Sequence, residues 1–467
     1  MADSADNKTS NTSSHSWQDI RHETSAIIRI AIPAILAHLA QMALGVIDTL
    51  MAGNYSSNAL AAVGTGFNTF MIIFSFFMGL MMAINPMVAH FNGQGKMDSI
   101  GKTFQMGMFL AVIFGLITFI LLRNVDPLLS LLGVEEAIVE TTSGYLKALS
   151  WGCVFAFLFI ALRSGNEGLF STKIIMFCSF MVIPFNLLFN TWFIYGGLGV
   201  PAMGAVGVGY ATSLVWTLLF LFLLFFTWRN PSFASLNIFK QVRWPTWKLI
   251  KEFFSIGTPM SLGLLMEVSM FGMIGILVAR YGVDLTGAHQ IAMNIATVAF
   301  MVPWGLSIAI TARVGYWMGR QDYRQMRLSG FCGIGASLFF QAISVTIMLM
   351  FRYELVGVYT DNQAIIEISA SLIFLAAIFQ FSDGLQVNSA GALRGMKDTK
   401  IPTVYMAIAY WLIGFPVGIY LADYMDLKVQ GFWIGIIFGL TVAAILLLGR
   451  FIHRSKQTIA FSEYDKS

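Results

Sequence analysis

Two carboxylates stand where hydrocarbon would not tolerate them without a use. In the stretch 253–279 Glu267 alone can carry a charge, and it falls near the midpoint. As a helix that stretch reaches about 40 Å, enough to cross about 30 Å of hydrocarbon with some tilt. Asp383 is likewise the lone charge in the middle of 368–393. A carboxylate at such depth costs several kcal/mol unless it faces a cavity or a partner, so each is a functional candidate. Apolar surroundings favour the neutral form of an acid, and a second acid nearby favours it further. Such a pair can take up a proton, or it can hold a hard cation with hydroxyl, amide or carbonyl oxygens as co-ligands. Ser269, Asn294, Thr297 and Asn388 are the candidate neighbours. A static hydrogen bond between helices is the competing use of both acids.

Asp48, in GVIDTLMAG, is the only acid of the first span and lies towards its outer end. It reads as a proton or cation site of the first half, or else as an interfacial cap. Asn186 and Asn190 share a helix face at i and i+4 and would serve it, with Thr212 as a weaker candidate. Gln41, Gln290 and His289 are polar residues on apolar spans, where lining a cavity and bonding between helices are both open. His38, His90 and His453 have no partner at ligand spacing and carry no assignment. Cys153, Cys178 and Cys332 show neither CxxC nor metal spacing and read as small buried hydrophobes. No Walker sequence, HExxH, nucleophile elbow or dinucleotide fingerprint is present. The chain therefore reads as no enzyme, with no cofactor and no ATP-driven step of its own.

The elements that hold these residues follow from composition. Hydrophobic residues make up 57% of the chain and charged ones 11%, against about 25% charged in soluble domains. Apolar segments recur at about 27–51, 59–89, 104–122, 142–162, 174–196, 203–227, 253–279, 286–312, 331–350, 366–392, 401–422 and 429–450, which predicts twelve membrane helices. Pro33, Pro184, Pro259, Pro303 and Pro416 fall inside spans, as fixed kinks or as hinges. Twelve spans put both tails on one side. That side collects 23 of the 28 basic residues, including Arg163 and Arg394, and the other side five. The positive-inside rule then places both termini in the cytoplasm. By this accounting, the only charges deep in the spans are acidic. Residues 1–25 are expected to be a disordered tail without a signal peptide, 229–252 a cytoplasmic linker with headgroup-level tryptophans, and 453–467 a second tail.

The chain repeats at an offset of 226 or 227 residues. Pro33 aligns with Pro259, Gly79-Leu80 with Gly305-Leu306, Gly93 with Gly319, Gly168 with Gly395, and Gly204 with Gly431. Each half (26–228 and 253–452) has six spans, an even number, so the repeats are parallel about a pseudo-two-fold along the membrane normal. Carriers built this way bind between halves that rock.

With IPAILAHLAQMALGVIDTLMAG, LLMEVSMFG in the seventh span and FSDGLQ in the tenth, the chain resembles multidrug and toxic compound extrusion (MATE) transporters of the bacterial NorM type over about residues 25–450. The resemblance implies export of organic cations against inward sodium or protons. It implies Glu267 and Asp383 as coupling-ion acids (sodium ligands), Asp48 as a shared first-span acid supported by Asn186, Asn190 and Thr212, and Gln41, Gln290 and Asp361 as drug contacts. Some NorM proteins carry a Tyr one turn before the tenth-span acid. Here it is Phe379, so that hydroxyl is absent. The expected partners are small organic cations, sodium or protons and the lipid bilayer, with no nucleic acid, and the chain reads as a monomer. Two rivals differ in class. A lipid-linked oligosaccharide flippase would need Arg or Lys in the cavity for its phosphate, and a non-transporting sensor would need neither repeat nor paired acids.

Overall fold

The computed structural model describes residues 16–131, 136–197, 199–236, 238 and 244–464. Twelve helices in it are long and apolar enough to span a membrane: Trp17–Tyr55 (α1), Ser57–Gly93 (α2), Met97–Arg123 (α3), Ile138–Gly168 (α4), Thr172–Tyr195 (α5), Ala205–Arg229 (α6), Trp247–Tyr281 (α7), Val283–Gly319 (α8), Tyr323–Met350 (α9), Gln363–Gly395 (α10), Lys400–Tyr424 (α11) and Lys428–Tyr464 (α12). The chain is an all-helical, multi-pass membrane protein. With an even number of spans, α1 begins and α12 ends on one side, called here the terminal side.

The helices run past the apolar windows wherever polar residues find partners. α1 starts at Trp17 because Ser16 caps it, with Asp19 reaching back to the Ser16 amide in a capping box. Residues 17–25 are therefore helix and not tail, whereas 1–15 lie outside the described residues. At the other end α12 continues to Tyr464, so most of the expected second tail is helical too. Part of the linker, 237 and 239–243, also lies outside the described residues. α2 is interrupted at Met82 and Ala83. Pro86 explains the break, since a proline ring clashes with the carbonyl four residues earlier. Pro33, Pro259 and Pro303 sit inside continuous helices. Pro416 opens a short α-helical turn of α11 between two π-helical stretches, 408–414 and 420–424.

Two separate clusters of buried apolar side chains form the cores, one mainly from the first half and one mainly from the second. The exchange at their border is symmetric. Ile27 and Ile30, near the start of α1, belong to the second core, and Phe253 and Ile256, their equivalents on α7, belong to the first. Each lobe thus lends the terminal-side end of its first helix to the other.

The lobes touch on the terminal side through glycines, and the contacts map onto themselves when the halves are exchanged. A Cβ on Gly93 would lie 2.0 Å from the Tyr316 carbonyl oxygen, and one on Gly319 would lie 2.1 Å from that of His90. Only a residue without a side chain lets α2 and α8 cross so closely. Gly79 meets Ser261 of α7, and Gly305 meets Ile35 of α1, the position equivalent to Ser261. An ion pair adds to this seal: Arg313 Nε and Nη2 donate to Glu23 Oε1 and Oε2 at 2.8 and 2.5 Å. At the opposite ends of α1, α7 and α8, a Cβ on Gly45, Gly272, Gly275 or Gly287 would meet nothing within 4 Å. None of these four glycines makes a close helix crossing of the kind seen on the terminal side.

If the glycine crossing closes the terminal side, Gly319→Ala must force α2 and α8 apart, at a cost of about 1–3 kcal/mol. A thiol placed by Ala89→Cys, fully buried in this conformation, should then react at least about fivefold faster with an impermeant maleimide added on that side. An unchanged rate would mean that the crossing does not hold the lobes closed.

Candidate functional site

Between the lobes lies a cavity of about 530 Å³ lined by α1, α2, α4 and α6 of the first half and α7, α8 and α10 of the second. Glu267 and Asp383 both line it. Asp383 is 2% exposed, and its Oδ1 has no hydrogen-bond partner among the described residues. Their helices bring them there simply. α7 turns Glu267 to the cavity, and α10 turns Asp383 to it. The wall is aromatic and thioether-rich, including Phe74, Trp216, Phe271, Trp304 and Phe379, with Met71, Met78, Met260, Met293 and Met301. Phe379 stands edge-on to Phe271 and Trp433, with ring centroids 6.1 and 6.0 Å apart. It contributes packing where a tyrosine would contribute an oxygen.

Of the candidate co-ligands, Thr297 lines the cavity. Asn388 is buried elsewhere, its Nδ2 donating to Ser337 Oγ and to the Gly384 carbonyl, both at 2.8 Å. Ser269 and Asn294 are exposed and outside the lining. Gln41 lines the cavity, but its amide is engaged: Arg163 Nη1 donates to Oε1 at 3.0 Å, and Nε2 donates to Ser179 Oγ at 3.3 Å. Gln290 and Asp361 are exposed and do not belong to the lining. His289 is buried against Trp433, away from the cavity.

Asp48 forms a second, closed site. Its Oδ1 accepts from Asn186 Nδ2 at 2.8 Å and Asn190 Nδ2 at 2.6 Å, and its Oδ2 accepts from Thr212 Oγ1 at 2.9 Å. Asp48 is 9% exposed, so it is held inside α1, α5 and α6 and not at an interface. The i and i+4 asparagines do share a face, as their spacing requires. The two asparagine Oδ1 atoms have no partner among the described residues. An acid and two amide oxygens offer hard-cation donors. Among the described residues no group of three His, Cys, Asp or Glu side chains could hold a metal ion, which leaves oxygen donors from mixed residue types as the available chemistry.

The expectation that the deep charges are acidic only is overturned. Arg163, Glu167 and Arg394 line the cavity, as does His38, which the sequence left unassigned. Counting loops by apolar windows put both arginines outside the spans. In fact α4 runs to Gly168 and α10 to Gly395. Arg163 is stabilised there because its Nε donates to Glu167 Oε1 at 2.8 Å on its own helix, and its Nη2 contacts the His38 ring. The i, i+4 spacing of Arg163 and Glu167 was the available signal. The lining holds three acids and two arginines.

The MatE family model matches the chain twice, over residues 33–192 and 259–420. The chain is 35% identical over 434 residues to a protein named multidrug resistance protein NorM from Aliivibrio fischeri, covering 92% of this chain and 94% of that one. It is 34% identical over 444 residues to multidrug resistance protein MdtK of Yersinia pseudotuberculosis, covering 94% and 97%. Among solved structures, the outward-facing conformation of a multidrug resistance MATE family transporter superposes with a TM-score of 0.85 at 21% identity, covering 94% of this chain and 98% of that one.

Asp48→Ala would leave the Asn186 and Asn190 amides without their acceptor, at about 1–3 kcal/mol for each group left unsatisfied, while Thr212 Oγ1 keeps the Val208 carbonyl at 2.9 Å. Thermal unfolding in detergent should show the melting point falling by several degrees, with Asp48→Asn losing less. A melting point unchanged by Asp48→Ala would show that the cage carries no structural load.

Proposed function

The chain belongs to the MatE family, and on that premise we propose that it is a multidrug efflux antiporter exporting aromatic organic cations in exchange for inward sodium. Its place is then the bacterial cytoplasmic membrane, with the terminal side facing the cytoplasm. The observation that carries the reading is the meeting of Glu267 and Asp383 on one aromatic, methionine-rich cavity between two lobes. Flat rings and adaptable thioethers suit varied planar ligands, and the acids suit their positive charge.

In the outward-open form, an ion arriving from outside binds at Glu267 and Asp383 and neutralises what held the drug, so the drug leaves. An ion shifts an equilibrium only through different affinities in the two conformations. The acids must therefore change surroundings as the units 26–228 and 253–452 rock about their shared glycine contacts. Asp48 with Asn186, Asn190 and Thr212 is a supporting ion site in the first unit. Gln41 contacts drug only if the Arg163 bond opens, while Gln290 and Asp361, both exposed, would meet drug on its way out. Protons remain the second choice of ion, since two acids with few fixed co-ligands serve a proton as well as a cation.

Arg163 and Arg394 bring a phosphate-bearing cargo back into consideration, because a flippase needs such residues. Arg163, however, is bonded to Glu167 and Gln41, and the acids outnumber the arginines. Both facts favour a cation. The relatives are transporters, and no enzymatic step is needed.

In resealed proteoliposomes, efflux of a cationic dye should follow an imposed sodium gradient, and Glu267→Gln should reduce it at least about tenfold, the effect of about 1.4 kcal/mol, while insertion is normal. Efflux that follows a proton gradient alone would replace sodium by protons. Full efflux from the Glu267→Gln protein would overturn the coupling site.

A further inference from the structure

The two halves meet the same electrostatic problem in different ways. Gln41 and Glu267 are equivalent positions at the 226-residue offset, and Glu167 and Arg394 are equivalent at 227. In the first half the end of α4 presents a guanidinium to the α1 position: Arg163 donates to Gln41 at 3.0 Å and to Glu167 at 2.8 Å. Those charges close on each other. In the second half the end of α10 presents a guanidinium towards the α7 position, but it comes from Arg394 and the α7 residue is the acid Glu267. Both side chains line the main cavity and also a second cavity of about 50 Å³ beside it.

This second pair is left open. Arg394 Nη2 is fixed by Ser307 Oγ at 2.5 Å and the Val387 carbonyl at 3.3 Å, while its Nε has no hydrogen-bond partner among the described residues. Among the described residues no salt bridge joins Arg394 to Glu267 or Asp383, although Arg394 shares the cavity wall with both acids. A closed ion pair would be too stable to give way, and an acid without any counter-charge would be costly in the empty protein. A guanidinium keeps its charge at every pH a cell offers.

We propose that Arg394 is a tethered counter-cation for Glu267, compensating the carboxylate when the cavity is empty and yielding to any monovalent cation that enters. Arg394 is a positioning residue that weakens cation binding and so speeds release. This rests on the cation-exchange reading above and names what sets its affinity.

The test is binding of ethidium, a planar aromatic cation, to the purified full chain in nanodiscs, followed by fluorescence polarisation. Arg394→Gln should tighten binding by roughly tenfold, the effect of removing one unit charge a few ångströms away in a partly hydrated site. Arg394→Lys should stay near the wild type, and Arg394→Gln should add nothing in a Glu267→Gln background. Weaker binding in Arg394→Gln, rescued by lysine, would show that Arg394 holds the ligand, and would overturn the proposal. Equal loss in both Arg394 variants with a lowered melting point would make it a structural pillar, and would overturn it as well. If the wild type does not bind ethidium, the cation-exchange reading itself has failed, and the proposal falls with it for that separate reason.

Discussion

The structure is arranged around the cost of keeping charge in hydrocarbon. An ionised carboxylate taken from water to the middle of a bilayer costs more than the packing around it returns, so each one must be met by a donor, a counter-charge or water. The protein uses all three answers. Asp48 is wrapped by two amides and a hydroxyl. Glu167 is paired with Arg163 on its own helix. Glu267 and Asp383 are left facing the cavity.

The lobes that flank this cavity are held together at glycine crossings on the terminal side. Helices crossing at glycines bring backbones closer than side chains allow, as Gly93 and Gly319 do at the Tyr316 and His90 carbonyls. The crossing is symmetric, so the seal follows from the repeat. The charges are not symmetric. Gln41 stands where the second half has Glu267, and Glu167 where it has Arg394. A duplicated scaffold thus supplies the geometry, and substitutions on it divide the labour, with a closed, charge-satisfied first lobe and an open, responsive second one.

How far this was legible depends on which signal carried each feature. Twelve spans and a parallel repeat follow from apolar periodicity and recurrent glycines and prolines, which act locally and survive in sequence. The acids Glu267, Asp383 and Asp48 stood out because no other charge lies within 10 residues of any of them, and Asn186 with Asn190 because their spacing is helical. Helix ends were misjudged. Apolar windows stop where the first charge appears, whereas α4 and α10 continue through Arg163, Glu167 and Arg394 to a terminal glycine. Those charges are paid for by partners distant in sequence, such as Gln41, 122 residues from Arg163. The same holds for Glu23, which looked like part of a polar tail and is buried because Arg313, 290 residues away, grips both its oxygens. Burial of a charge is a tertiary fact, and a single sequence shows only the charge.

Coupling in such a molecule needs no relay between distant sites. Drug and ion need only compete for the same two carboxylates in one conformation and differ in affinity for the other. The asymmetry of the lining then matters more than its size. Were both lobes like the first, with acid and arginine locked together, a cation would gain little by entering. Were both acids bare, the empty carrier would have to rearrange with uncompensated charge in a dry interior. The second lobe lies between these limits. Its arginine is close enough to share the cavity with the acids and is anchored by Ser307, without being bonded to them. The free energy available to an incoming ion is therefore the difference between an open pair and a neutralised acid. On the proposed exchange that difference must be small enough to reverse at each turn of a cycle and large enough to decide which side the drug leaves from.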